Sequence, residues 1–252
     1  MDEWMGLRGR GVASIRRAMH RLRLTPLHPQ FFAFRHESAR NTAAAKLCTG
    51  LVLDVGCGRQ PLRAQVGRDC TYVGVDQPAT GSRYGAAPAV FANAEALPFC
   101  DGVIDTVVCL EVIEHVERPE IALWEARRVL KPGGKLLLSV PFLYPVHDAP
   151  FDFRRWTVHG IDLLAQSTGF ELESTRAFGG PVQSGVLLLN LALAWSALNA
   201  RLPWRLPSML SVAAVVPLLN LLAMLLSREA VSSAFATGYM CVLRAPAETS
   251  AV

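Results

Sequence analysis

The stretch Leu51-Val-Leu-Asp-Val-Gly-Cys-Gly-Arg-Gln-Pro61 is an apolar run that ends at a pair of glycines. Its first five residues have the length and composition of a buried strand. Gly56 and Gly58 allow a sharp turn and let backbone N–H groups approach a ligand, because glycine has no Cβ. Ligands of parallel sheets bind at the carboxyl ends of strands, where this turn is expected. The turn alone fits either a structural bend or a dinucleotide site.

A second apolar run, Tyr72–Asp76, ends in an acidic residue. A carboxylate about 20 residues after such glycines can accept hydrogen bonds from both hydroxyls of an adenosine ribose. The alternative is a surface aspartate that caps the next turn. The spacing favours the ribose role for Asp76.

Strand-like and helical patterns alternate along the rest of the chain. The further strands are predicted at Val90–Ala92, Ile104–Leu110, Leu136–Val140, Phe170–Ala177 and Gly238–Arg244, and the clearest helices at Glu120–Leu130 and Thr157–Thr168. Lys131-Pro-Gly-Gly134 is expected to stop the first helix and to turn into the next strand. Nearly continuous apolar strands alternating with helices indicate an α/β fold with a parallel sheet covered on both faces.

Composition limits the classes of function. The 252 residues are 51% hydrophobic and 18% charged, which is apolar for a soluble enzyme and compatible with lipid contact. The net charge of +4 is too small to predict nucleic-acid binding, and the basic residues cluster in an arm over residues 1–35. The six cysteines form no CxxC pair, so neither a disulfide framework nor a metal site is predicted.

The basic arm has apolar residues at helical spacing between Val12 and Met19, which predicts a short amphipathic helix, either solvated or at a membrane surface. The N-terminus has no stretch suited to a secretory signal, so the core is expected in the cytoplasm.

An apolar insertion is predicted over residues 181–230. It contains two apolar helices, about Gly185–Asn199 and Met209–Leu226, joined by a turn rich in proline, arginine and tryptophan. The alternatives are a buried lid or dimer surface, a hairpin in one leaflet, and a double membrane span. Trp195, Trp204, Arg201 and Arg205 suit a membrane interface, whereas the short helices and Pro217 argue against a full span.

Five segments in order resemble the motifs of class I S-adenosylmethionine-dependent methyltransferases of type 11, a group that includes the ubiquinone/menaquinone-biosynthesis enzymes. They are Asp54–Gly58, Asp76, Asn93–Phe99, Ile104–Val116 and Ala126–Leu138. The resemblance implies a Rossmann-like, doubly wound, mostly parallel sheet of seven strands with an antiparallel last strand, built from residues 36–180 and 236–246. The apolar helical hairpin is inserted before that last strand.

The resemblance also implies S-adenosylmethionine as cofactor. The positions carried over are Asp54, Gly56, Cys57 and Gly58 at the methionine end, Asp76 and Gln77 at the ribose, Asn93 and Ala94 at the adenine, and Leu110 and Glu111 near the sulfonium. One departure is Gln60, which replaces the third glycine of the family's motif before Pro61. We expect an altered turn with Arg59 pointing outward or to the cofactor carboxylate. Pro61 also argues against a nicotinamide dehydrogenase, which needs glycine there.

The acceptor is expected at the loop of residues 141–157. For a hydroxyl acceptor, His147 or His115 is the candidate general base, since imidazole titrates near neutral pH. Asp148 or Asp152 would orient His147. The alternatives are that Asp152 pairs with Arg154 or Arg155, and that His115 only packs a helix.

The predicted function is methyl transfer to oxygen or carbon of a small or lipid-linked acceptor at the cytoplasmic face of a membrane. The insertion and the basic arm would make the membrane contact, and no nucleic-acid partner is expected. The alternative is a catalytically silent methyltransferase-like module that serves membrane or protein interactions.

Overall fold

The computed structural model describes residues 20–80, 88–227 and 233–247, so the basic helix predicted at Val12–Met19 lies outside the described residues. The described chain forms two compact units. The sheet unit contains residues 39–142, 153–176 and those from 239 onwards. The helical unit contains residues up to 38, 143–152 and 177–238.

A seven-stranded sheet has the strand order β3-β2-β1-β4-β5-β7-β6. The strands are β1 (Leu51–Val55), β2 (Thr71–Asp76), β3 (Val90–Phe91), β4 (Ile104–Leu110), β5 (Leu130–Pro141), β6 (Glu171–Phe178) and β7 (Gly238–Arg244). β1 pairs in parallel with both β2 and β4, and β5 continues the parallel set beside β4. The inner strands are buried on both faces, which is why they read as continuous apolar runs.

The last strand runs antiparallel to its neighbours, as predicted. Gly133 donates its N–H to the carbonyl of Pro246, and Ala245 donates to the carbonyl of Gly134. The residue numbers therefore rise along one strand while they fall along the other. The predicted doubly wound, seven-stranded architecture is confirmed.

Along the described chain, one α-helix precedes β1 and the others follow β4, β5 and β6. They are α1 (Phe31–Leu47), α2 (Pro119–Val129), α3 (Val158–Ser167), α4 (Pro181–Leu198) and α5 (Arg205–Leu226). The segment Lys131–Gly134 was expected as a turn between α2 and a strand beginning at Leu136, but it already belongs to β5. β5 pairs Leu130 with Ile104 and Lys135 with Thr106, so the extra residues form a bulge, with φ of 72° at Gly133.

In the helical unit, α4 and α5 form a hairpin, which we call the apolar hairpin. Both helices begin four residues earlier than predicted, and Pro217 lies inside α5. Both helices are long and apolar enough to cross a membrane by length and composition. A small core joins them to the start of α1 through Phe31, Phe32, Leu187, Leu191 and Ala223.

Candidate active site

The glycine turn after β1 is tied to the end of β2. The N–H groups of Gly56 and Cys57 both donate to the carbonyl of Val75, at 2.8 and 3.1 Å. Asp76 accepts the N–H of Gly58 at 2.7 Å with one carboxylate oxygen and the N–H of Gln77 at 2.7 Å with the other. The acid and the glycine bend therefore meet at the carboxyl ends of the two strands.

Three residues of this turn have left-handed backbone conformations: φ is 73° at Gly56, 49° at Gly58 and 56° at Gln60. Gln60 thus adopts a conformation that suits the glycine it replaces, and Arg59 is exposed, in agreement with the outward alternative. A Cβ added at Gly56 would lie 2.4 Å from Val112 Cγ2, whereas one at Gly58 would meet nothing within 4 Å. Gly56 is needed for packing, and the open space at Gly58 fits a ligand.

Asp54 is buried at the end of β1 and accepts a hydrogen bond from the Tyr72 hydroxyl at 2.5 Å. Burial raises the pKa of Asp54 to about 7, with the Tyr72 hydrogen bond opposing the shift and the charge of Asp76 adding to it. Burial likewise raises the pKa of the Cys57 thiol to about 12, so this side chain is a neutral packing group. The sequence did not reveal Tyr72 as a partner, since the contact depends on its register beside Val52.

The loop that carries Asn93 and Ala94 is held against α2. Asn93 is exposed and its side-chain oxygen accepts the N–H of Glu95, while Ala94 is buried. The Arg128 guanidinium donates to the carbonyls of Leu97 and Phe99 at 2.9 and 2.8 Å. Glu125 accepts the N–H of Leu97 at 2.8 Å and two hydrogen bonds from Arg128. Glu125 and Arg128 are oppositely charged and three residues apart on a predicted helix. This spacing was a sequence signal for the contact that holds the loop, and the sequence analysis did not use it.

The end of β4 places Glu111 in a left-handed conformation, with φ of 57°. Its carboxylate accepts the Ser139 hydroxyl at 3.0 Å and lies 3.7 Å from the guanidinium of the buried Arg40. A left-handed conformation is strained for a glutamate, and such strain concentrates at functional sites. Arg40 and Ser139 were not predicted, although a serine inside the apolar run of β5 was a visible signal.

His115 ends a short 3-10 turn after β4 and is half-buried. Its Nε2 lies 3.8 Å from the carboxylate of the buried Glu114. Arg154 donates to the carbonyls of Val116 and Glu117, at 2.8 Å each, which fixes the backbone just after this turn.

His147 belongs to the helical unit, in the segment 143–152. Its Nδ1 lies 3.2 Å from a carboxylate oxygen of Asp152, and its backbone N–H donates to the same oxygen at 2.8 Å. The Asp152 side chain is fully buried, and the Tyr144 ring contacts the imidazole edge-on. Asp148 has φ of 51°, and its carbonyl accepts the N–H of Phe151. Asp152 therefore contacts His147 directly, and the predicted orienting role of Asp148 or Asp152 stays a prediction.

Residues 53–138 match the family model described as a methyltransferase domain. A probable S-adenosylmethionine-dependent methyltransferase from Mycolicibacterium smegmatis is 31% identical over 56% of this chain and 60% of its own length. A ubiquinone/menaquinone biosynthesis C-methyltransferase from Rhodopseudomonas palustris is 31% identical over 57% of this chain and 61% of its own. The chain thus spans about three fifths of the length of the curated relatives it matches.

A solved structure with a similar fold is that of an S-adenosylmethionine-dependent methyltransferase from Archaeoglobus fulgidus. It has a TM-score of 0.54 and 16% identity, and the match covers 85% of this chain and 96% of that one. The family match includes the glycine turn, Asp76 and the end of β4. Residues 53–138 are therefore similar to a methyltransferase domain, and the fold around them is shared with a solved methyltransferase structure.

Proposed function

We propose that the chain is an S-adenosylmethionine-dependent methyltransferase that acts on oxygen or carbon of a small or lipid-linked acceptor. The observation that supports this proposal most directly is the hydrogen bond from Gly58 to the carboxylate of Asp76, which joins the glycine turn to the acid beside it. The cofactor of this family supplies an electrophilic methyl group on a sulfonium. The protein then has to hold the cofactor and align the acceptor.

The residues around the turn fit the parts of that cofactor. The open space at Gly58 would admit the methionine end, with Asp54 beneath it, and Asp76 with Gln77 would hold the ribose. Asn93 and Ala94 would face the adenine from a loop that α2 anchors. Leu110 and Glu111 would lie near the sulfonium.

For a hydroxyl acceptor, the His147–Asp152 pair is the proposed base. The buried carboxylate faces Nδ1 and so fixes the orientation of the ring, and Nε2 would receive the acceptor's proton. His115 is the second candidate, with Glu114 beside its Nε2. A carbon acceptor that is already nucleophilic would need neither histidine.

The exposure of the apolar hairpin supports two parts of the proposal, namely a lipid-linked acceptor and a location at the cytoplasmic face of a membrane. An 18-residue window within Arg205–Leu226 has a mean hydropathy of 2.4, yet only 17% of that window is buried. An exposed helix with apolar side chains on all of its faces is more stable in contact with lipid than with water. An enzyme held at a lipid surface by such a hairpin would suit an amphipathic acceptor.

Calorimetry with S-adenosylmethionine on the full chain tests the cofactor assignment. Asp76→Asn removes the carboxylate charge, and hydrogen bonds to charged groups contribute about 1.5–3 kcal/mol, so we expect a loss of affinity of about tenfold to a hundredfold. Asp69→Asn, on the loop before β2, should bind as the wild type does. Absence of binding by the wild type would favour the silent module instead. If the wild type binds the cofactor, incubation of labelled cofactor and protein with a lipid extract would identify the acceptor by its labelled product.

A further inference from the structure

We infer that the apolar hairpin lies along one leaflet of an anionic membrane, parallel to its surface, and does not cross the bilayer. This inference rests on the membrane contact proposed above. It follows from which face of the hairpin the chain itself covers, and from where the cations lie.

The outer face of α5 is an uninterrupted apolar stripe. Leu210, Ala214, Leu218, Leu221 and Leu225 follow one another at spacings of three or four residues, so they share one face of the helix. The leucines are 63%, 67%, 47% and 72% exposed, in chain order. The stripe thus runs along most of the helix rather than being confined to one end.

The inner face is closed by the chain's own N-terminal segment. Asn190 of α4 donates to the side-chain oxygen of Asn220 at 2.9 Å, and both residues are fully buried. Asn220 in turn donates to the backbone carbonyls of Pro26 and His28, at 2.7 and 3.1 Å. Because these hydrogen bonds form within the unit, the segment that contains Pro26 and His28 is packed against the hairpin as part of it.

A spanning hairpin would carry this segment into the hydrocarbon. Arg23 precedes Pro26 and His28 in the same segment, and its guanidinium lies 5.7 Å from the Phe34 ring centre. At the opposite end, the turn carries Arg201 and Arg205, which would have to cross the bilayer. Charged side chains are the most costly to place in hydrocarbon. When the hairpin lies flat, the arginines at both ends can reach the headgroups while the leucine stripe enters the acyl region.

The charge of this surface selects the lipid. The sequence contains no acidic residue between Glu173 and Glu229, and the turn of the apolar hairpin carries Arg201 and Arg205. A hairpin that carries cations and no acids favours anionic headgroups.

Sedimentation of the full chain with vesicles tests the lipid and the face. We expect at least about tenfold stronger binding to phosphatidylcholine vesicles containing phosphatidylglycerol than to phosphatidylcholine alone. Leu218→Glu with Leu221→Glu should lower the binding by a similar factor. Leu163→Glu, on α3, changes an equally exposed leucine (68%) and should leave binding unchanged. Equal binding to both vesicles, or an equal effect of the control, would overturn the inference.

A labelling experiment tests the topology. Leu202, at the turn between α4 and α5, is 87% exposed, and Cys100 in the sheet unit is exposed and serves as an internal reference. In inverted membrane vesicles from a bacterial expression host, a membrane-impermeant maleimide should label Leu202→Cys together with Cys100. Labelling of Leu202→Cys only from the outside of intact spheroplasts would show a span and overturn the proposal.

Titration with S-adenosylmethionine on the same samples separates the two proposals. Cofactor binding that survives while vesicle binding is absent refutes the hairpin inference alone. Vesicle binding without cofactor binding refutes the proposed activity alone. Retained cofactor affinity in the double glutamate variant also shows that its sheet unit is folded.

Discussion

Asp54 and Asp76 are buried carboxylates at the ends of neighbouring strands, and they differ in what they contact. Asp76 accepts two backbone N–H groups, whereas Asp54 accepts one tyrosine hydroxyl in an apolar interior. The pKa of Asp54, raised by its burial to about 7, places its titration near neutral pH. Binding and stability are therefore expected to respond to pH through Asp54.

The sign of this response follows from proton counting. The folded chain keeps the Asp54 proton up to a pKa of about 7, while an unfolded aspartate releases it near 3.8. The contribution of the protonated Asp54 to the free energy of unfolding is full below about pH 4 and is lost as the pH rises through 7. We expect Asp54→Asn to remove this loss, so that its stability relative to the wild type rises by about 2–4 kcal/mol from pH 4 to pH 8. Urea unfolding at several pH values measures the difference.

Asp105→Asn is the control for this pH series. Its hydrogen bond from Lys131 lowers the pKa of Asp105, so its contribution is present above about pH 4 and is lost only in acid. The effect of this substitution should be constant between pH 5 and 8. A constant effect of Asp54→Asn over the same range would contradict the prediction.

The two glycines of the turn should separate packing from binding. Gly56→Ala adds a Cβ 2.4 Å from Val112, together with left-handed strain, and should destabilise the fold by about 2–4 kcal/mol. Gly58→Ala carries the strain alone, of about 1–2 kcal/mol, because its Cβ enters open space. Thermal unfolding should rank Gly56→Ala as the less stable variant. Calorimetry should show that Gly58→Ala loses more cofactor affinity than its change in stability explains.

Single residues were predictable where one strand and one turn decide their place. The meeting of Gly58 with Asp76 followed from the rule that parallel strands end at one edge. The contact of Tyr72 with Asp54 and the contact of Arg40 with Glu111 were not predictable from the sequence. Both contacts join separate strands or a helix and a strand, and the sequence does not fix the register between such elements. His147 stays a prediction as the candidate base of the loop, and the sequence leaves its partner open between two aspartates.

Among the elements, α2 has a role beyond covering the sheet. Arg128 of α2 donates to two carbonyls of the loop that follows Asn93 and pairs with Glu125 and Asp101. Arg128→Ala would leave those carbonyls without their donor and loosen the loop. We expect cofactor affinity to fall about threefold to thirtyfold, since one or two hydrogen bonds of about 1 kcal/mol are lost. Calorimetry measures this change.

Arg127 is the neighbouring control on the same helix. It donates to the carbonyl of Thr168, away from the loop. Arg127→Ala should change stability without changing cofactor affinity. Equal losses of affinity in both variants would show that α2 acts only through general stability.

Elements were predictable in existence more than in extent. β1, β4 and β7 have the bounds predicted because apolar composition changes abruptly at their ends. The start of β5 was misplaced because its first residues include Pro132 and two glycines, which resemble a turn and form a bulge in the pairing with β4. The helices α4 and α5 begin earlier than predicted because the proline residues near their starts are tolerated in a first helical turn.

At the scale of the whole molecule, the two units should respond to two different ligands. Trp195 and Trp204 lie on the apolar hairpin and are 48% and 70% exposed, whereas the residues proposed to bind the cofactor lie in the sheet unit. Anionic vesicles should shift tryptophan emission to shorter wavelength, because these two rings leave water for the membrane interface. The double variant Trp195→Phe with Trp204→Phe should lose most of this shift and keep its cofactor affinity.

Asp76→Asn is the matching variant in the sheet unit. It should lose cofactor affinity and keep the full vesicle-induced shift, since the described hydrogen bonds of the Asp76 carboxylate go to Gly58 and Gln77, both in the sheet unit. A shift that persists in the tryptophan double variant would place the lipid contact elsewhere on the chain. A shift lost in Asp76→Asn would instead mean that cofactor binding controls membrane binding. Opposite responses of the two variants would assign the methyl donor to one unit and the lipid surface to the other.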